Sequence, residues 1–376
     1  MEYDSTRMAK VARKRSRSRK MLAVAVSLGA LLGLLLLVEA GVRVRQWVKY
    51  GTLSATFYQL EMHAASGLEI PAPGSSVGTV RVNSLGFRGP EIELPKPPGR
   101  IRVAFLGGST TFCAETSGLE ATWPYLVAQG LTEAFPDASI DQVNGAAGGY
   151  STRQSALNLE HRVAPLDPDV VVVYHGTNDL TQDSREVAAR LGLFDPEVLE
   201  QDVLGRYSLA WYLVLKNVRA WQRKQPSDAE RLEVDPATYS GAFHERLRAL
   251  VEQAQETADL VVLVTFSHRV RAGMEPEELR EACATSLLYM PYMTAEGVLA
   301  GFDEYNRVVR RVAQETGAFL VDGEDSIPGN AAHFADSVHL TNAGCRLQAK
   351  RVLEALTVSE AFRALVAGRS DQRENR

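Results

Sequence analysis

Residues 101–112 read "IRVAFLGGSTTF". An apolar run rich in β-branched and aromatic residues ends at Gly107-Gly108, and hydroxyl residues follow at Ser109, Thr110 and Thr111. A short apolar run bounded by glycine is the pattern of a buried strand. Such a strand delivers Ser109 to a turn at its carboxyl end. There Ser109 could be a nucleophile or the N-cap of the next segment, and the stretch alone leaves both readings open.

Downstream the pattern repeats. Strands are predicted near 139–143, over "DVVVVYHG" (169–176), over "ADLVVLVTF" (258–266) and over "GAFLVD" (317–322). Helical periodicity is predicted for 123–135, 152–163, 237–256, 294–315 and 342–367. Strands alternating with helices predict a three-layer α/β/α domain over 100–370 with a mostly parallel five-stranded, flavodoxin-like sheet. Segments 180–235 and 268–293 interrupt the alternation and are expected to be insertions at the rim. Residues 43–99 are expected to be a lead-in or linker. The stretches "PAPGSSVG" (71–78) and "LPKPPG" (94–99) there have loop composition, and they flank a compact "RVNSLGFRGPE" (81–91).

The amino terminus is of another kind. Residues 1–20 carry Arg7, Lys10, Arg13, Lys14, Arg15, Arg17, Arg19 and Lys20 against two acids, Glu2 and Asp4. The uncharged "MLAVAVSLGALLGLLLLV" (21–38) follows. As a helix it spans about 27 Å, close to the ~30 Å hydrocarbon core of a bilayer. Glu39 interrupts it, Ala40 to Val42 extend it, and Arg43, Arg45, Trp47 and Tyr50 form an interfacial rim. The basic block predicts a cytoplasmic tail (1–20), a transmembrane anchor (21–42) and an extracytoplasmic remainder, periplasmic or extracellular. A cleaved signal peptide is the alternative, since Val38-Glu39-Ala40 has the small-residue pattern of a cleavage site. The apolar stretch exceeds the usual ~7–15-residue signal core, which favours the anchor.

Composition excludes other classes. The 376 residues are 45% hydrophobic and 23% charged, ordinary for a globular chain, and a net charge of −5 argues against nucleic acid as a partner. Three cysteines (Cys113, Cys283, Cys345) are too few for a disulfide scaffold. One pair could bridge in an oxidising compartment, and packing is the expected role of Cys113. No Cys/His spacing suited to a metal occurs, and no cofactor is expected. A nucleotide-binding reading of "GGST" lacks both the dinucleotide fingerprint and a P-loop lysine.

In open α/β sheets, ligands bind at the carboxyl ends of the strands. The predicted strand ends there carry Gly108-Ser109-Thr110, "NGAAGGYS" (144–151), "GTND" (176–179) and "HFADSVHLTNAG" (333–344). A hydroxyl, glycine amides, a side-chain amide and an Asp/His pair are the parts an acyl-transfer site needs. Here the chain resembles the SGNH hydrolases, the GDSL esterases and lipases, whose four signature blocks fall in order on Ser109, Gly149, Asn178 and His339. The resemblance covers about residues 100–350. One departure is Gly108, where the family's first block usually has Asp. The resemblance implies Ser109, Asp336 and His339 as catalytic residues, and Ser109, Gly149 and Asn178 as the oxyanion hole. The choice of Gly149 over Gly148 rests on the family alignment.

The residue chemistry agrees with these roles. A serine hydroxyl is a poor nucleophile until a base takes its proton, neutral imidazole suits that task, and Asp336 can accept the other imidazole N–H. Asp179 is read as a turn former, His175 as structural, His333 as an exposed residue near the site, and Asn144 as a loop brace. Thr341 and Asn342 are better placed than Asp336 to cap the last helix.

The expected function is an exported, membrane-anchored serine esterase acting on O-acetyl groups of envelope or extracellular glycans, or on lipid esters. The alternatives are an O-acyltransferase modifying an envelope polysaccharide and a non-catalytic envelope scaffold domain. Oligomeric state is not readable from the sequence.

Overall fold

The computed structural model describes residues 2–50, 58–193, 208–222 and 234–374. The chain forms two compact units, Met1–Ala55 with Gln201–Arg219, and Thr56–Glu200 with Ala220–Arg376.

In the first unit, helix α1 (Glu2–Tyr50) runs unbroken through the basic block, the apolar stretch and the rim, well beyond the expected 21–42. Its segment Val24–Val48 is long and apolar enough to cross a membrane, with a mean hydropathy of 2.2. Glu39, read as an interruption, does more than that. Its carboxylate accepts hydrogen bonds from Ser208 Oγ (2.8 Å), Leu209 N (3.0 Å) and Ala210 N (3.0 Å) at the start of a later helix, Leu209–Gln222. A carboxylate at a helix amino terminus satisfies orphan N–H groups and opposes the helix dipole.

In the second unit, two short antiparallel pairs come first: β1 (Leu60–Met62) with β2 (Glu69–Pro71), and β3 (Ser76–Val77) with β4 (Val80–Arg81). The main sheet contains β5 (Arg100–Gly107), β6 (Ser139–Asn144), β7 (Val170–Tyr174), β8 (Leu260–Val264) and β9 (Phe319–Val321). Their order is β6-β5-β7-β8-β9 and every pair is parallel. All five residues of β7 and all five of β8 are buried, as strands covered on both faces must be.

The helices complete three layers. After the short α2 (Ser109–Phe112) come α3 (Trp123–Ala134), α4 (Thr152–Asn158), α5 (Thr177–Arg190) and α7 (Ser240–Gln255), α6 being the Leu209–Gln222 helix already described with the first unit. Then follow α8 (Pro276–Ala282), α9 (Ala284–Tyr289), α10 (Ala295–Thr316), α11 (Asn342–Val358) and α12 (Glu360–Glu374). Helices α3, α11 and α12 pack together on one side, and α4, α5, α7 and α10 on the other.

Four expectations are refined. The last helix, expected unbroken over 342–367, divides at Ser359, whose hydroxyl accepts from Phe362 N (3.4 Å) and starts α12. The helix expected over 152–163 changes to a π-helical turn at Leu159–Val163. Within 180–235, residues up to Arg190 belong to α5, which buries Leu180, Asp183, Ser184 and Ala188. Within 268–293, Val270, Leu279, Cys283, Met290 and Met293 are part of the main hydrophobic core rather than a peripheral loop. Single residues of these two segments offered no period to read.

The strand order reverses between β5 and β7, because β6 lies on the other side of β5. Ligand crevices form at such a switch point, and the loop after β5 carries Ser109.

Candidate active site

Helix α2 is too short to hold itself, so its position is imposed from outside. Trp123 Nε1 donates to Thr110 O (3.1 Å), Asn144 Nδ2 to Thr111 O (3.1 Å) and Arg88 Nη1 to Phe112 O (2.8 Å) and to Cys113 O. Asn144 is the expected brace. Arg88 is fully buried, and its cation faces the carbonyl end of α2. Residues 81–91 thus reach the Ser109 loop directly, a role that sequence reading missed. The compact, glycine-bearing "LGFRG" was the available signal.

Ser109 opens α2, so its backbone N–H has no intrahelical acceptor. Its Oγ lies 2.7 Å from His339 Nε2, and His339 Nδ1 lies 2.8 Å from Asp336 Oδ2. Asp336 Oδ1 also accepts from Val338 N (2.9 Å) and His339 N (2.8 Å), which curls the loop so that carboxylate and ring meet three residues apart. Thr341, as expected, caps α11 by accepting from Gly344 N. The two ring nitrogens are thereby engaged at opposite ends, one by a hydroxyl and one by a carboxylate. This arrangement can move a proton from the hydroxyl to the ring.

The residues expected to form an oxyanion hole beside Ser109 lie on two further loops. Gly149 has φ +79°, a conformation glycine adopts without strain. The neighbouring Gly148 N–H is taken by Tyr58 Oη (2.7 Å). Among the described residues no acceptor holds the Gly149 N–H, which separates the two glycines where sequence alone could not. Asn178 Nδ2 donates one hydrogen to Tyr150 O (2.8 Å), which fixes the amide and leaves its second hydrogen. An ideal Cβ on Gly108 would lie 2.5 Å from that Nδ2 and 3.0 Å from Tyr150 O, so the Gly108 departure has a local steric cause.

Asp179, read as a turn former, is fully buried. It accepts from Thr152 Oγ1 (2.6 Å) and Thr152 N (3.2 Å), pinning the first residue of α4 directly after the Gly149–Ser151 loop. Arg246 Nη2 bridges Asp179 (3.4 Å) and Asp183 (2.9 Å), and Tyr305 Oη donates to Asp183 (2.6 Å). Burial pushes both carboxyls above their ordinary range, and the Arg246 guanidinium opposes that push. Removing the cation strands two buried carboxylates, which costs about 2–4 kcal/mol. Arg246→Met is therefore expected to lower the thermal midpoint by about 5–15 °C, measured by calorimetry, whereas Arg248→Met on the exposed face of the same helix leaves it unchanged.

His175 is structural, as expected: its Nε2 pairs with Ser155 Oγ (2.8 Å), and burial depresses its pKa to about 3, leaving the ring neutral. His333 is half-buried rather than exposed and bonds Asn330 Oδ1 (2.9 Å). Among the described residues no His/Cys/Asp/Glu cluster suits a metal ion.

Glu115 was not singled out by sequence. Its Oε1 lies 3.9 Å from His339 Nε2. Burial works against a charged His339 ring, but Glu115 and Asp336 outweigh it and raise the pKa to about 9. A raised folded-state value means that the charged ring adds stability fully present below about 6.5 and lost as pH rises through about 9. If His339 serves as the general base it must be neutral, and kcat/KM is then expected to climb with pH toward an inflection near 9. Glu115→Gln removes one opposing charge and is expected to move the inflection toward neutrality, with a several-fold gain at pH 7. A pH–rate profile identical to wild type would refute the coupling.

The four loops lie within one stretch that matches a known family. The family model described as the GDSL-like lipase/acylhydrolase family matches residues 105–347, from β5 into α11. The chain belongs to this family. It is accordingly a serine hydrolase acting on ester bonds. No curated protein matches the chain. Similar solved structures include Axe2, an acetylxylan esterase from Geobacillus stearothermophilus, at 19% identity over 69% of this chain and 95% of that chain, TM-score 0.42. Another is LAE5, an alpha/beta hydrolase from the metagenome of Lake Arreo, Spain, at 20% identity over 68% and 94%, TM-score 0.41.

Proposed function

We propose that this GDSL-family chain is an exported, membrane-anchored esterase that removes short acyl groups, O-acetyl above all, from envelope or extracellular glycans through an acyl-enzyme on Ser109. The observation that carries the reading is the unbroken Ser109–His339–Asp336 hydrogen-bond chain beside the Gly149 N–H, which no described residue accepts from, and the fixed Asn178 amide. His339 takes the Ser109 proton as Oγ attacks the ester carbonyl, and Asp336 stabilises the imidazolium. The Ser109 and Gly149 N–H groups and the Asn178 amide bind the tetrahedral oxyanion. His339 then returns the proton to the leaving alcohol, and water repeats the sequence to release the acid.

Glu115 bears on the alcohol. Placed beside the nitrogen that protonates the leaving group, its carboxylate makes that side hydrophilic, which suits a sugar alcohol better than an apolar one. The anchor reading is supported by the solvent-facing apolar side chains between Met21 and Val38, a surface that water-soluble proteins avoid, and by the basic block before them.

The test uses the full chain in detergent micelles. Acetyl, butyryl and octanoyl p-nitrophenyl esters are compared, and acetate release is followed from acetylated xylo-oligosaccharide. The expected result is a preference for acetyl over octanoyl and acetate appearing in water. Octanoyl preference would replace the glycan reading by a lipid one. Acetyl transferred to added sugar in place of water would make the chain an acyltransferase.

A further inference from the structure

We infer that Cys113 and Cys345 form a disulfide site, a covalent staple between the segment that carries Ser109 and the segment that carries His339. Cys113 caps the carboxyl end of α2, four residues after Ser109, and Cys345 lies in the first turn of α11, six residues after His339. Their sulfurs are 3.8 Å apart although the residues are separated by 232 positions in sequence. Both are buried, and the Cys113 thiol otherwise meets only the weakly bonding carbonyls of Thr110 (3.3 Å) and Thr111 (3.4 Å) among the described residues. A disulfide bond is about 2.04 Å long, so each sulfur has to move about 0.9 Å, within reach of a small side-chain rotation.

The same two segments are already held in register nearby. Ser117 N donates to Asn342 Oδ1 (3.0 Å), and Asn342 Nδ2 donates to Ser117 Oγ (2.7 Å). The staple would join the pair of elements whose separation sets the 2.7 Å Ser109–His339 contact. Cys283, whose Sγ contacts Ala295 O (3.7 Å), remains the odd thiol.

The oxidant is a disulfide, either a small molecule of the glutathione class or a protein donor. One cysteine thiolate attacks the donor's S–S bond and releases one donor thiol. The second then attacks the sulfur of the resulting mixed disulfide, forms the Cys113–Cys345 bond and releases the second donor thiol. Two protein thiols are oxidised, one donor disulfide is reduced to two thiols, and the protons pass to the departing thiolates. Burial holds the Cys113 thiol well above its ordinary pKa, so the bond forms while the chain folds or opens rather than in the closed state. An exported domain meets such donors as it folds. The inference rests on the exported reading only for that supply.

The experiment adds the oxidant directly. Full-length protein in detergent micelles is incubated in mild urea with oxidised glutathione, returned to buffer, alkylated and mapped by non-reducing mass spectrometry. A peptide pair joining Cys113 to Cys345 is expected, formed equally in Cys283→Ser. The thermal midpoint is expected to rise by about 5–15 °C and to fall back with dithiothreitol. Cys113→Ser and Cys345→Ser are expected to lose both the link and the sensitivity to dithiothreitol. Three alkylatable thiols after oxidation, or a link through Cys283, would overturn the site. Esterase activity is not the readout, so failure here leaves the acyl-enzyme reading untouched, and an inactive esterase leaves the mapped bond untouched.

Discussion

Ser109→Ala is expected to reduce kcat/KM on p-nitrophenyl acetate by about 10³–10⁶-fold with the thermal midpoint changed by only a few degrees. The hydroxyl is the sole group of the protein that bonds to the carbonyl carbon in the proposed sequence, while among the described residues its contribution to the fold is a single hydrogen bond to His339. His339→Ala is expected to fall by a similar factor. The double variant should be no worse than either single one, because residues that act as one unit are not additive. Residual activity reflects only binding and the oxyanion donors. A Ser109→Ala protein retaining more than about one hundredth of wild-type activity would remove Ser109 as the nucleophile.

Gly108→Asp restores the residue that the family usually places before the serine, and it is nevertheless expected to cost activity. A Cβ at 108 would stand 2.5 Å from Asn178 Nδ2 and 3.0 Å from Tyr150 O, and a retreat of that amide would strain or break its hydrogen bond to Tyr150. Something must shift, and the nearest movable group is the proposed oxyanion donor. Loss of one such donor lowers kcat by about 10²–10³-fold, with KM little altered. Gly108→Ala is expected to show most of the effect, and Asn178→Ala a loss of the same size. Combining Gly108→Ala with Asn178→Ala should add little to Asn178→Ala alone, since both act through one contact. Wild-type kcat in Gly108→Asp would show that the amide adjusts freely and that the departure is neutral.

Several parts of this protein were legible in one dimension because they depend on local pattern. Four of the five parallel strands announced themselves as apolar runs, the polar Ser139–Asn144 being readable only as a short strand, and the sheet placed each near its expected bounds. The four loops that the sequence put at one edge are the four that converge. A helix long and apolar enough to cross a membrane was readable from the apolar run, although the helix around it runs from Glu2 to Tyr50. Less was visible where a residue's role depends on a distant partner. Asp179 has turn-former composition, yet what matters is Thr152 and Arg246, which approach from other elements. Arg88 lies in what reads as a linker, and only the folded chain brings it to the carbonyls of α2. Helix α12 begins at a serine whose capping hydroxyl is a weak local signal inside a continuous helical period.

From its sequence alone, then, this protein's layer architecture, its family and the chemical parts of its site are determined, because hydrophobic periodicity and strand-end composition act over a few residues. Tertiary structure alone decides that the N–H of Gly148 rather than that of Gly149 goes to Tyr58, why residue 108 lacks a side chain, that Glu115 faces the histidine and that Cys113 meets Cys345. Each of these is a separation of a few ångströms between segments far apart in the chain, and such distances are set by the packing of the whole core rather than by any local preference.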